Sequence, residues 1–403
     1  MKDNWKDIFA ADLVRLLIRI FGLMSLEAAG HIGDFGGRIG YFLLRKQRRT
    51  AYWNIRAALG SRFNSCERKK ILQAQFRHLG RNFVEILTFE RLSLGEVNRI
   101  VTDHNWDRLV DLVKSGRGTV ITTAHLGNWE MQQIITGIRG YPAHALARDQ
   151  KYPRLNAILM EQRAMHGSMV ASRGMNVRFL LRALKEGKIV GVLSDQSAGR
   201  SGGIILPFFG RKTTVPTGAF ELAHRTGAAV LSCFTTRREG RYHHFYIELP
   251  LVESSGDGEE IVRNLAQAYL RLLEKHILEA PHCWLWQNKR WKYSWTRRVV
   301  ILSDKKPGHF KQTQAVAELF KNIPTYHGRP GLEFEFQTVD IEYRSEIAKK
   351  ILVGLGWLFL PFICGRLNLL KAFLKPESLA KLNEVQADFI FENTSAKRNR
   401  TRL

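Results

Sequence analysis

Thr119-Val-Ile-Thr-Thr-Ala-His125-Leu-Gly-Asn-Trp-Glu130 is the stretch whose reading decides the fold. The run from Thr119 to Ala124 is apolar and β-branched and is set off by Gly116 and Gly118, which predicts a strand. Met131 to Ile138 places Ile134, Ile135 and Ile138 on one apolar face, which predicts a helix. Strand, tight turn and helix, with polar residues at the strand's carboxyl end, is where open α/β sheets put their chemistry. On one helix, residues five apart point about 140° away from each other. His125 and Glu130 can therefore converge only if His125 lies in the turn and Glu130 in the first helical turn. Gly127 gives that turn conformational freedom, and Asn128 is the expected N-cap. A histidine oriented and made more basic by a carboxylate is general-base chemistry.

The flanking residues narrow the reading. Ala-His-Leu-Gly-Asn-Trp-Glu, residues 124–130, resembles the signature of the lipid A late acyltransferases, within the wider His-x4-Asp/Glu acyltransferase class. Downstream, Ile189 to Leu193 repeats the design, an apolar strand ending in Ser194-Asp195-Gln196. The stretches Leu206-Pro-Phe-Phe-Gly-Arg211 and Val215-Pro-Thr-Gly218 resemble a further block of the family, and Trp284-x-Trp286 with Lys289-Arg290-Trp291 its usual ending. The resemblance covers roughly residues 10 to 297. It implies an α/β fold, an acyltransferase-type mixed sheet flanked by helices. It also implies transfer of a fatty acyl chain from an acyl thioester, on acyl carrier protein or acyl-CoA, to a hydroxyl of a Kdo-bearing lipid A precursor. His125 is then the general base and Glu130 the carboxylate that orients it. The substrate-binding residues are Asn128, Arg148, Arg173, Asp195, Gln196, Phe208 and Phe209. The arginines would fork onto phosphate, Asp195 would hold a loop or an arginine, and the two phenylalanines would wall the acyl pocket. No metal or cofactor is implied, since His-x4-Glu lacks the paired histidines of a His-Glu-x-x-His zinc helix. A serine nucleophile on a Gly-x-Ser-x-Gly elbow is not expected either.

The totals suit this reading. The 403 residues are long enough for two domains, and 45% apolar content supports a sizeable core. Lys and Arg number 62 against 37 Asp and Glu, a formal net charge of +25, so the partners should be anionic. Cys66, Cys233, Cys283 and Cys364 contain no Cys-x-x-Cys pair, and reduced thiols are expected.

Three segments are expected. Residues 1–44 form an apolar helical segment, interrupted by Asp12, Arg15 and Arg19, that suits the membrane interface rather than a span or a secretory signal. The basic run Arg45-Lys46-Gln47-Arg48-Arg49 follows and would attract anionic lipid. The expected location is the cytoplasmic side of the cell inner membrane. Residues 45–297 form the acyltransferase domain, in which Ile71, Phe76, Leu79, Phe83 and Ile86 should be core positions of a helix. Trp284, Trp286 and Trp291, interleaved with cations, are assigned to a membrane interface. Residues 298–403 form a partial Rossmann-like unit. Its Ser303-Asp-Lys-Lys-Pro-Gly-His309 resembles the opening of the mitochondrial-fission ELM family, and Ile351 to Gly365 is too short for a span. Two other readings stay open: an acyltransferase acting on another glycolipid or a lysophospholipid, and a non-enzymatic basic protein that binds membrane or nucleic acid. On the first reading no nucleic-acid partner is expected.

Overall fold

The computed structural model describes residues 5–60, 62–147, 150–172, 177–199, 202–250, 256–294 and 296–303. Beyond them it describes residues 311, 314–315, 318–319, 325–326, 329–330, 333–352, 367–384 and 389–392. The chain divides into two compact units, Met1–Tyr52 with Lys70–Phe208 and Thr214–Arg290, and Trp53–Lys69 with Phe209–Thr213 and Trp291–Leu403.

The first unit is built on a seven-stranded mixed sheet. Its strands are β1 (Val101–His104), β2 (Thr119–Thr123), β3 (Ala143–Ala147), β4 (Met169–Ser172), β5 (Ile189–Leu193), β8 (Ala229–Glu239) and β9 (Tyr242–Glu248), in the order β1-β9-β8-β2-β5-β3-β4. Every neighbouring pair is parallel except β8 with β9, the hairpin closed by Gly240 and Arg241. β2, in the middle, is buried along its whole length. Five β-branched residues in a row suit a strand covered on both faces. Ile121 packs into one apolar cluster with Ile134, Ile135, Leu231 and Phe245, and Val120 into another with Leu180, Leu184 and Val190. The α/β class expected from the sequence is thus the one observed. Strands β6 (Ile204–Phe208) and β7 (Arg211–Val215) carry the Pro-Phe-Phe-Gly block.

Helices α1 (Trp5–Gly22) and α2 (Leu26–Leu43) form the N-terminal segment, with Ser25 capping α2 through its hydroxyl. α2 crosses α4 (Ser65–Ile86) at near backbone contact: a Cβ at Gly33, Gly37 or Gly80 would overlap the facing main chain. Over this crossing the buried Asp34 accepts from Arg38, Arg77 and Arg81 at 2.8–3.1 Å. Burial alone would raise the Asp34 pKa; Arg77 and Arg81 outweigh it and hold the carboxyl below its ordinary range. The core face of α4 differs from expectation. Phe76 is buried, but Phe83 is exposed, and the inward face runs Gln75, His78, Asn82, Val84. Polar residues occupy it because a buried polar network waits there.

In the second unit, β10 (Thr296–Ser303) lies between β13 (Glu333–Asp340) and β14 (Phe389–Glu392), parallel to both. β11 (Thr325–Tyr326) and β12 (Arg329–Pro330) make a small antiparallel pair. Val300, Leu302, Val339, Ile341 and Leu382 are its apolar centre. Of the Ser303–His309 loop only Ser303 is described, and of Ile351–Gly365 only the first two residues.

A Gly37→Ala substitution tests the crossing of α2 and α4. The added methyl would collide with main chain rather than with a yielding side chain, so the helices must part. A loss of roughly 1–3 kcal/mol is expected, read as a lower denaturation midpoint with the slope unchanged.

Candidate active site

The register of β2 against β5 builds the site. Thr123 pairs with Leu193 at the carboxyl ends of these parallel strands, and the Ser194 N–H donates to the Thr123 carbonyl at 2.9 Å. Two residues past each paired end stand His125 and Asp195. The His125 Nδ1 lies 2.7 Å from Asp195 Oδ1, and the His125 backbone N–H donates to Oδ2 at 3.0 Å. The Trp284 indole N–H donates to the same Oδ2 at 2.9 Å. Asp195 is wholly buried, whereas the His125 side chain keeps 14% of its surface.

The turn between them is held from several sides. Gly127 has φ +65°, and a Cβ there would overlap the Thr235 carbonyl, so only glycine fits. Leu126 forms an antiparallel bridge with Trp284, the Leu285 N–H donates to the His125 carbonyl at 2.9 Å, and the Gly127 N–H donates to the Cys283 carbonyl at 3.0 Å. Asn128 caps helix α7 (Trp129–Ile138), accepting from the Met131 N–H at 3.3 Å. His125 lies in the turn and Glu130 in the first helical turn, as expected from their spacing.

Burial would depress the His125 pKa, but the charge and hydrogen bond of Asp195 outweigh it and raise it. Burial would raise the Asp195 pKa, but the His125 charge and the hydrogen bonds from His125 and Trp284 hold it down. The imidazole therefore donates Nδ1–H to a carboxylate and turns Nε2 outward, toward the exposed Gln196, whose side-chain nitrogen stands at 3.4 Å. The Trp129 ring packs edge-on against the imidazole at 5.0 Å between centroids.

Several sequence expectations are corrected here. The Glu130 carboxylate does not bond His125; it is gripped at both oxygens by Arg163, at 2.8 and 2.6 Å. Asp195, expected to hold a loop or an arginine, does hold the His125 turn through its backbone N–H, and it takes the orienting position against the ring as well. Asn128 is buried, with its amide N–H donating to Glu85 at 2.8 Å and its oxygen used by the cap, so no part of it faces a substrate. Phe208 is fully buried against Trp284 and beneath the Arg290 guanidinium, a core position rather than an open wall. Phe209 belongs to the second unit, half-buried with φ +50°. Arg148 and Arg173 lie outside the described residues. Trp284, Trp286 and Trp291 are buried, not interfacial, and the indole N–H groups of the first two reach Asp195 and the Pro281 carbonyl. Gly199-Arg-Ser-Gly-Gly203 does spell the bare Gly-x-Ser-x-Gly pattern. A nucleophile elbow needs a helix after the serine, and here strand β6 follows.

Behind the turn lies a buried polar network that sequence spacing did not reveal. Arg237 on β8 grips both oxygens of Glu85 at 2.5 and 2.7 Å, and donates to Asn82 at 2.7 Å and His78 at 3.1 Å. Asn82 in turn donates to the Gly127 carbonyl at 2.7 Å. Burial would raise the Glu85 pKa, yet Arg237 and then His243 hold it well below the carboxylate range. Burial and the Arg237 charge keep His78 neutral, which leaves its Nδ1 free to accept. One signal was available: His78, Asn82 and Glu85 recur at spacings of four and three on one face of α4. Among the described residues, no group of three or more His, Cys, Asp or Glu is placed to hold a metal ion.

A buried carboxylate, an imidazole and an outward Nε2 at the carboxyl ends of parallel strands make an arrangement that suits general-base chemistry. The chain belongs to the bacterial lipid A biosynthesis acyltransferases, whose family model it matches over residues 6–293. It is 28% identical over 232 residues to the lipid A biosynthesis palmitoleoyltransferase of Escherichia coli (strain K12), covering 56% of this chain and 72% of that one. It is likewise 28% identical over 205 residues to the phosphatidylinositol mannoside acyltransferase of Mycobacterium tuberculosis (strain CDC 1551 / Oshkosh), covering 49% of this chain and 62% of the relative. The family makes the protein an acyltransferase.

Two predictions follow from the charges. The raised His125 pKa should place the acid limb of activity above the usual imidazole value of about 6.5, because a protonated base cannot act and activity rises as it loses its proton. In Asp195→Asn the charge and ionic hydrogen bond of Asp195 vanish, leaving burial opposed by the Glu130 charge alone, so the limb moves to lower pH while turnover falls. A limb that stays in place in the pH profile of this variant would remove Asp195 from its role.

The second concerns stability. His78, His243 and His282 all have folded pKa values lowered by burial. Below about pH 6.5 the unfolded chain takes up protons that the native state refuses, so stability drops as pH falls. Melting temperatures at pH 7.5 and 5.5 should differ in that direction. The His78→Gln variant should show a smaller difference.

Proposed function

We propose that this protein transfers a fatty acyl chain from an acyl thioester, on acyl carrier protein or coenzyme A, to a hydroxyl of a lipid A precursor or closely similar glycolipid. The reading rests on one observation, the 2.7 Å contact of His125 Nδ1 with the buried Asp195. It leaves Nε2 as the proton acceptor at the open side of the site. A hydroxyl oxygen attacks the thioester carbonyl as Nε2 takes its proton, and Asp195 stabilises the imidazolium. The tetrahedral intermediate then expels the thiolate, which receives that proton from Nε2, giving ester and free thiol. No covalent acyl-enzyme is required, because the hydroxyl attacks directly.

We assign Glu130 to holding Arg163 beside the site rather than to turning the imidazole. Both relatives carry a glycolipid or lipid A in their names, which supports a glycolipid acceptor. The cationic excess fits a phosphorylated acceptor, an acidic or phosphorylated donor, and a place at the cytoplasmic side of the inner membrane. These features also favour an enzyme over a non-catalytic basic protein, since a binding surface does not need a buried, oriented imidazole.

The test is transfer from a labelled acyl thioester to a lipid A precursor by purified protein. His125→Ala should lose roughly 10²- to 10⁴-fold in turnover, the usual contribution of a general base, with its melting temperature close to wild type. Wild-type turnover in that variant would overturn the assignment.

A further inference from the structure

Helix α1 is apolar on two opposite faces. Ala11 and Phe21 point inward with Asp7, whereas Trp5, Phe9, Leu13, Leu16 and Ile20 are exposed, from 43% for Leu13 to 69% for Trp5. Their spacings of four, four, three and four make one stripe. At about 100° per residue it lies roughly half a turn from the buried face. α2 repeats the arrangement, exposing Phe35, Ile39, Phe42 and Leu43 opposite its packed glycines. A helix face that is apolar where water should be implies an apolar partner. Exposed cations border it: Lys6, Arg15 and Arg19 on α1, then Arg45, Lys46 and Arg49 at the start of α3 (Arg45–Leu59). Asp12, also exposed, is bonded to Arg15 at 3.2 Å. An apolar stripe edged by cations is the chemistry of a helix lying on an anionic lipid surface. Among the described residues no helix is long and apolar enough to cross a bilayer.

The same helix is tied to the active site. The buried Asp7 carboxylate accepts the backbone N–H of Arg154 at 3.1 and 3.0 Å and of Leu155 at 3.3 Å. These are the first N–H groups of α8 (Pro153–Arg163), whose own N-cap residue, Tyr152, makes no side-chain cap bond. A carboxylate at a helix N-terminus satisfies orphan donors and meets the positive end of the dipole. The last residue of α8 is Arg163, which grips Glu130, and Gln162 beside it donates to Glu90 at 2.9 Å. α1 thus anchors the start of the helix whose end meets the catalytic turn.

We propose that α1 docks on an anionic lipid surface through its exposed stripe, and that docking is relayed by Asp7 to α8, setting Arg163 and Glu130 for an acceptor in that surface. The last clause rests on the function proposed above; the docking and the relay do not, and they are tested without catalysis. The full-length protein is floated with vesicles of phosphatidylglycerol and phosphatidylcholine, and with phosphatidylcholine alone. Hydrogen exchange is followed in the segment covering residues 153–163. Wild type should float with the anionic vesicles and not the neutral ones, and exchange in α8 should slow several-fold on binding. Phe9→Asp with Leu13→Asp, both solvent-exposed sites, should abolish flotation and the slowing together. Asp7→Ala should float while α8 no longer responds, and Asp7→Asn, which keeps an acceptor oxygen, should recover part of the response. Flotation of the double variant, or equal binding to neutral vesicles, overturns the docking. Binding by wild type with no change in α8, or an undiminished change in Asp7→Ala, overturns the relay. If Asp7→Ala does not fold, the wild-type and double-variant arms still decide it. His125→Ala should float and respond as wild type does, so a failed catalytic assignment is read on a different variant from a failed docking.

Discussion

One carboxylate carries the arrangement. Asp195, with no solvent of its own, accepts from the His125 backbone, the His125 ring and the Trp284 indole. A buried ion is costly unless its lone pairs are taken up, so those three donors are conditions of its burial as well as consequences of it. They come from two distant parts of the chain, His125 and Trp284, and each fixes something needed by the others. The ring bond selects the tautomer with Nε2 outward. The backbone bond aligns the turn, and the indole bond accompanies the isolated bridge of Trp284 with Leu126. Loss of any one would leave a charge underground, which is why the strand ends of β2 and β5 must stay in register.

The polar network beneath the turn obeys the same rule on a larger scale. Arg237 donates to Glu85, Asn82, His78 and the Gly240 carbonyl, and Asn128 and Asn82 pass its order on to residues 127 and 128. An apolar core could match such an ion pair for stability. What it could not do is hold main-chain atoms of an irregular turn, because those need donors and acceptors at fixed places. The buried charge therefore lies under the one loop whose geometry matters most. Pairing α4 with β8 in this way ties the site to the completed fold.

Sequence patterns carried the sheet well and the site only partly. Ile189–Leu193 is a strand with the bounds its composition suggests, since a short apolar run rich in β-branched residues has few other outcomes. The pairing of His125 with Asp195, 70 positions apart, depends on which strands become neighbours, and no local period encodes that. Glu130 stood closer in sequence and so drew the orienting role, but its partner Arg163 sits 33 residues on, at the end of another helix. The tryptophans misled for a related reason. Aromatics among cations look interfacial in one dimension, whereas Trp284 and Trp286 use their indole N–H groups inside the fold. Phe83 erred in the other direction: its helical spacing matched a core face, but that face was claimed by polar residues.

The charge pattern separates two ranges of action. Over the whole chain cations exceed acids by 25, yet the immediate surroundings of His125 contain the carboxylates of Asp195 and Glu130 and, against them, Arg163. The two carboxylates favour the charged imidazole and account for its raised pKa, and on the proposed function that charge is the imidazolium formed when a hydroxyl gives up its proton. A site set in a uniformly positive field would oppose that step. On the proposed function the excess cations serve at longer range, drawing anionic partners to the surface, and salt weakens such attraction beyond about 8 Å at physiological strength. Inside, the buried Asp195 acts at hydrogen-bond distance and is screened far less. Recruitment and chemistry are thus expected to respond differently to ionic strength, the first falling steeply and the second holding.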